Sequence, residues 1–143
     1  MSNPILVRRL LLSDDDFEVR RGIADFLGGP ELEVLQAESG LEALEIVRDR
    51  RIHAALLDLH MPGCTGFEAL PRIQREVEGL PCIVYSGNLT EVLERSLLEA
   101  GAWAVLRKPV EPGLLRQEVY RALELSPYQP GQPGRPGPAP ELN

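Results

Sequence analysis

The chain has 143 residues, 43% of them apolar and 26% charged, with a formal net charge of −7. That is enough for one core of ordinary size, while the acidic balance argues against direct nucleic acid binding and against an anionic membrane face. Cys64 and Cys82 lie outside any metal-ligand spacing, no apolar run reaches transmembrane length, and MSNPILVRR lacks a signal-peptide core, which suits a reducing, cytoplasmic setting.

Strand and helix signals alternate along the chain. RLLLS (9–13) reads as a buried strand, and Asp16 can cap a helix with Val19, Ile23, Phe26 and Leu27 on one face until Gly28-Gly29-Pro30 stops it. EVLQA (33–37) is a second, weaker strand, and the helix after Gly40 turns Leu41, Leu44 and Val47 inward. HAALLDL (53–59) is the third strand. Thr65 and Glu68 form a capping box for a helix bearing Phe67, Leu70, Ile73 and Val77, with Pro71 inside it at a nominal cost of about 3 kcal/mol. PCIVYS (81–86) is the fourth strand, with Thr90 capping a helix through Leu93, Leu97 and Ala100 that Gly101 ends. AWAVLR (102–107) is the fifth, and Pro112 opens a last helix with Leu115, Val119, Ala122 and Leu123 inward. SPYQPGQPGRPGPAPELN (126–143) is dominated by Pro and Gly and reads as a tail or linker.

Five such β-α units imply a doubly wound α/β fold, a parallel sheet covered on both faces, with ligands at the carboxyl ends of the strands. Those ends carry a constellation. Asp14-Asp15-Asp16 follow the first strand, Asp58 ends the third, Ser86-Gly87 follow the fourth, and Arg107-Lys108-Pro109 follow the fifth. Each alone has a plain structural reading as a helix cap or a turn. Together the acids, hydroxyl and lysine make a site for a hard divalent cation and a phosphoryl group, in which an aspartate can itself become the phosphorylated nucleophile.

The stretches LLLSDDD (10–16), LLDLHMPGCTG (56–66), VYSG (84–87) and LRKP (106–109), in this order and spacing, resemble the receiver domain of two-component response regulators, related to the chemotaxis regulator CheY. The resemblance runs from residue 9 to about 124 and implies a (βα)5 sandwich, residues 1–125, with strand order 2-1-3-4-5. It implies that Asp58 is the phosphoacceptor. It implies Mg²⁺ (or Mn²⁺) held by Asp15, Asp58 and the His60 backbone carbonyl, with Asp14 acting through water. Ser86 and Lys108 would contact phosphoryl oxygens, and Lys108-Pro109 would be cis. His60 and Asn88 fall at positions that tune dephosphorylation. The implied partners are a sensor histidine kinase or histidine phosphotransfer protein as donor, and a protein target met through the face formed by residues 90–124. Such a domain is a signalling module rather than an enzyme, assisting only its own phosphorylation and dephosphorylation.

Two positions depart from the family pattern: Ser13 stands where an aliphatic residue is usual, and Val105 where a switching Tyr or Phe is common. Trp103, two residues before Val105, is expected on the same side of its strand. A haloacid dehalogenase-type phosphatase needs an acid two residues after its nucleophile, where His60 stands. A flavodoxin-like cofactor site needs a neutral phosphate loop, where DDDFEVRR is acidic. A receiver-like fold used only for docking would have no need of the complete acid, hydroxyl and lysine set.

Overall fold

The computed structural model describes residues 7–126. The expected tail therefore lies outside the described residues apart from Ser126, which is buried and donates its N–H to the Leu123 carbonyl. Strands and helices alternate: β1 (Arg8–Ser13), α1 (Phe17–Leu27), β2 (Leu32–Ala37), α2 (Gly40–Asp49), β3 (Ala54–Asp58), α3 (Gly66–Glu76), β4 (Cys82–Ser86), α4 (Glu91–Glu99), β5 (Ala104–Arg107) and α5 (Pro112–Glu124). All strand pairs are parallel and the order is β2-β1-β3-β4-β5. The chain winds outward from β1 to β2, then returns to place β3 on the other side of β1. The reversal opens a crevice between the tips of β1 and β3, where loops diverge.

Two apolar layers sandwich the sheet. One packs Leu10, Leu12, Leu56, Ile83, Tyr85 and Leu106 against α1 and α5. The other packs Leu11, Leu57, Val84 and Val105 against α2, α3 and α4. β3 and β4 are buried along their whole length, which is why they read as continuous apolar runs rather than alternating ones.

Local chemistry starts the helices where the sequence marks them. The Asp16 carboxylate accepts from the N–H groups of Glu18 and Val19, Ser39 caps α2, and the Thr65–Glu68 capping box is closed in both directions. Thr90 caps α4, and Glu111 caps α5 ahead of Pro112. Gly101 ends the α4 turn at φ +109°, a conformation that favours glycine. Pro71 deprives the Phe67 carbonyl of its usual donor, and both residues are exposed on α3.

Three residues expected inward are exposed: Phe26 at 39%, Leu41 at 55% and Phe67 at 39%. On α2 and α3 the inward stripe is instead Gly40-Ala43-Leu44-Val47 and Gly66-Ala69-Leu70-Ile73. Small residues hold the first inward positions because the helix starts run close to other backbone. A Cβ on Gly66 would lie 2.5 Å from the Asp58 carbonyl oxygen, and one on Gly40 2.4 Å from that of Cys64. Phe26 lies instead beneath the Arg116 guanidinium, 4.5 Å from its ring centre. Trp103 also departs from expectation. It precedes β5, so strand alternation does not reach it, and it packs on the α5 side under Arg121 while Val105 faces α4.

Candidate functional site

The strand tips bring Asp14, Asp15, Asp58 and Lys108 together. Carboxylate oxygens of the three aspartates lie within 4.8 Å of one another. Asp14 and Asp58 are buried, whereas Asp15 is exposed on the β1–α1 loop. Lys108 Nζ stands between the two buried acids, 3.3 Å from Asp14 Oδ2 and 3.2 Å from Asp58 Oδ1. Its bond to Pro109 is cis, as the resemblance implied, and its N–H donates to the Ser86 carbonyl at 2.9 Å.

Asp14 is held on both oxygens. Oδ1 accepts the Asp16 N–H at 2.8 Å. Oδ2 accepts the Tyr85 hydroxyl as well as the Lys108 ammonium. The Asp14 carbonyl accepts from Arg20 Nη1 at 2.7 Å, which ties the acidic loop to α1. A carboxylate oxygen offers about two lone pairs, so Oδ2 is saturated and only Oδ1 keeps room for another donor or for a cation's water. Asp15 has no such partners among the described contacts and is the freer carboxylate for a direct bond.

Asp58 is less compensated. The His60 N–H reaches Oδ1 at a long 3.4 Å. Burial, followed by the Asp14 charge, pushes the Asp58 carboxyl above its ordinary range, and Lys108 and the His60 N–H only partly oppose this. Added positive charge beside Asp58 would offset both causes. Three converging carboxylate donors of this kind suit Mg²⁺ or Mn²⁺, which take hard oxygen ligands and retain waters.

Ser86 is buried at the tip of β4, one residue beyond Tyr85, and its Oγ accepts the Asn88 N–H at 3.1 Å. His60 is exposed and gives the cluster its backbone rather than its ring. Asp16 acts as the α1 cap, as expected. The residue that motif reading missed is Tyr85. It is the register partner of Asp58 across β3 and β4, so both side chains leave the sheet on the same face. Its hydroxyl meets Asp14, and Lys108 Nζ stands 4.5 Å above its ring centre. Only the strand register could have pointed to it.

Residues 10–120 match the family described as "Response regulator receiver domain". The chain belongs to the response regulator receiver family. Among its relatives are the transcriptional activator protein ExaE of Pseudomonas putida, 34% identical over 116 residues (80% of this chain, 54% of the relative), and the two-component response regulator ORR3 of Oryza sativa, 34% identical over 106 residues (72% and 81%). The chain spans about half the length of some of these relatives, 54% of ExaE and 50% of response regulator RR06 of Streptococcus pneumoniae. Among solved structures, a CheY-like receiver domain protein from Methanospirillum hungatei superposes with a TM-score of 0.78 at 27% identity, over 82% of this chain and 94% of that one. A receiver domain protein from Clostridium thermocellum gives 0.77 at 26%, over 82% and 95%.

The family and the acid cluster agree on a phosphorelay receiver, a signalling module whose phosphoryl donors are as a class histidine kinases or phosphotransfer proteins. Among the described residues no helix is long and apolar enough to cross a membrane.

Proposed function

We propose that Asp58 is the phosphoacceptor of this receiver, and that Asp15, Asp58 and the His60 carbonyl hold the divalent cation, with Asp14 reaching it through water. The observation that carries this reading is Lys108 Nζ set between the two buried carboxylates at 3.3 and 3.2 Å, on the face where Asp15 closes the cluster. An Asp58 oxygen attacks the phosphorus of a donor phosphohistidine. The new O–P bond forms as the P–N bond breaks, and the released imidazole takes up a proton. Bound Mg²⁺ would neutralise charge on the transferring group. Lys108 supplies a positive charge on one side of that group, and the Ser86 hydroxyl, now engaged by Asn88, supplies a polar contact on the other.

The output runs through the face of residues 90–124, in a cytoplasmic setting. Val105 lies in the apolar layer with Leu89 and Leu93, and Arg107 Nη1 donates to the Leu89 carbonyl at 2.6 Å. That bond ties β5 to the β4–α4 loop directly after Ser86. A shift of Ser86 toward the phosphoryl group therefore pulls on a loop latched to β5, and through Thr90 on the start of α4. Exposed Val92, Leu98 and Leu114 give this face apolar contact area for a protein target.

The test is incubation with Mg²⁺ and acetyl phosphate followed by mapping of the added mass. One phosphoryl group on Asp58, absent in Asp58→Asn, is expected. Unchanged stoichiometry in that variant would refute the assignment.

A further inference from the structure

We infer that Tyr85 is a positioning residue for phosphoryl transfer, whose hydroxyl holds Asp14 so that Lys108 is free to leave it. This rests on the assignment of Asp58 and Lys108 above. In the unphosphorylated protein two donors share Asp14 Oδ2, the Tyr85 hydroxyl and the Lys108 ammonium. Asp14 is 0% exposed, so an oxygen that loses its donors has no bulk water to replace them. When Lys108 turns to a phosphoryl oxygen on Asp58, one of the two donors departs. The hydroxyl remains, and Asp14 stays satisfied. Tyr85 is 1% exposed, belongs to one apolar cluster with Val19, Ile23, Val110 and Leu115, and its carbonyl accepts the Leu59 N–H at 2.9 Å. Its ring also gives Lys108 a surface to slide over, with Nζ 4.5 Å from the ring centre.

The hydroxyl therefore contributes more to the phosphorylated state, where it is the sole protein donor to Oδ2, than to the free state, where Lys108 shares the task. Only such a difference between states can bias the equilibrium. Tyr85→Phe keeps the ring and its packing and removes this one donor.

Two readouts test the idea. The first is the affinity for beryllofluoride, a phosphoryl mimic, titrated in saturating Mg²⁺. Tyr85→Phe should weaken it about tenfold, the scale of one hydrogen bond to a charged group. The second needs neither metal nor mimic. The Asp16 amide donates to Asp14 Oδ1 and reports how that carboxylate is turned. In metal-free Tyr85→Phe its proton resonance should move and its exchange with water should quicken, whereas a mere loosening of the core around residue 85 would leave the Asp16 amide in place. Wild-type beryllofluoride affinity, or an unmoved Asp16 amide, overturns the proposal. Failure of beryllofluoride to bind the wild-type protein at all would instead strike the phosphoacceptor assignment beneath it.

Discussion

His53, at the amino end of β3 and away from the phosphorylation site, should make this protein lose stability in mild acid. Its ring is buried, and Nδ1 accepts the Arg9 N–H at 2.9 Å, so the proton of the neutral imidazole sits on Nε2. Burial first, then the charges of Arg9, Arg8 and Arg51, lowers the His53 pKa from 6.5 to about 4. The unfolded chain therefore takes up this proton more readily than the folded one. The stabilising contribution is fully present above pH 6.5 and is lost as pH falls toward 4. That separation corresponds to about 3 kcal/mol in total, of which about 2 kcal/mol disappears between pH 7 and pH 5. Urea unfolding of the wild type and of His53→Asn at a series of pH values checks it. The Asn side-chain oxygen can still accept the Arg9 N–H but does not titrate. The variant should start less stable at pH 7 and lose about 2 kcal/mol less than the wild type on going to pH 5. Stability curves that run parallel across this range would refute the reasoning, because the other titrating groups, Asp58 included, are common to both proteins.

The acid cluster gives further expectations. Without divalent cation, Asp58→Asn should raise the thermal midpoint: the Asp58 pKa is raised in the fold by burial and by Asp14, so its ionised form costs stability as pH rises past the ordinary carboxylate range. A lowered midpoint at pH 7 would show that the Lys108 pair dominates instead. Asp15→Ala should lose more Mg²⁺ affinity than Asp14→Ala, since Asp14 Oδ2 is already occupied by Tyr85 and Lys108; the reverse order in a titration would exchange their roles. Gly66→Ala should cost about 1–3 kcal/mol in chemical denaturation and slow acetyl phosphate labelling, because the new methyl would meet the Asp58 carbonyl oxygen at 2.5 Å. On beryllofluoride binding, amide shifts are expected at 86–92 and 102–108 and along α4, and Arg107→Ala should shrink those in α4 by freeing the Leu89 carbonyl; shifts confined to the surroundings of Asp14, Asp58 and Lys108 would sink the proposed output face.

How far the sequence could be read depended on the kind of information each feature carries. Caps and apolar periods are local, and so Asp16, Thr65 with Glu68, Thr90 and Pro112 marked their helices correctly. Alternation implied a parallel sheet covered on both faces, the family resemblance carried by four motifs implied the order 2-1-3-4-5, and the structure has both, with Asp14, Asp15, Asp58 and Lys108 at one edge. What stayed hidden depends on distance between elements. Leu41 and Phe67 fit an apolar stripe as well as Gly40 and Gly66 do, and only the closeness of Cys64 and Asp58 decides in favour of glycine. Strand alternation puts Trp103 on the side of Val105 only if β5 includes it, and β5 starts at Ala104.

Tyr85 and Arg107 show the same limit at the site itself. Each lies inside a motif, one residue from Ser86 or Lys108, and in a strand that step sends the side chain to the opposite face. Tyr85 thus leaves the face of Ser86 for that of Asp14, Asp58 and Lys108, whereas Arg107 leaves the face of Lys108 for the loop before α4. The strand tips therefore split the work. On the proposed assignment, the side toward α1 and α5 gathers the charge for phosphoryl transfer, and the side toward α4 carries Ser86, Val105 and the Arg107 latch. With no large ring at Val105 to turn inward, the bonds that can change on that second side are polar: the Asn88 N–H to Ser86 Oγ at 3.1 Å, which a phosphoryl group carrying about two negative charges competes with when it draws the hydroxyl, and the Arg107 Nη1 to the Leu89 carbonyl at 2.6 Å, one residue further along the same loop.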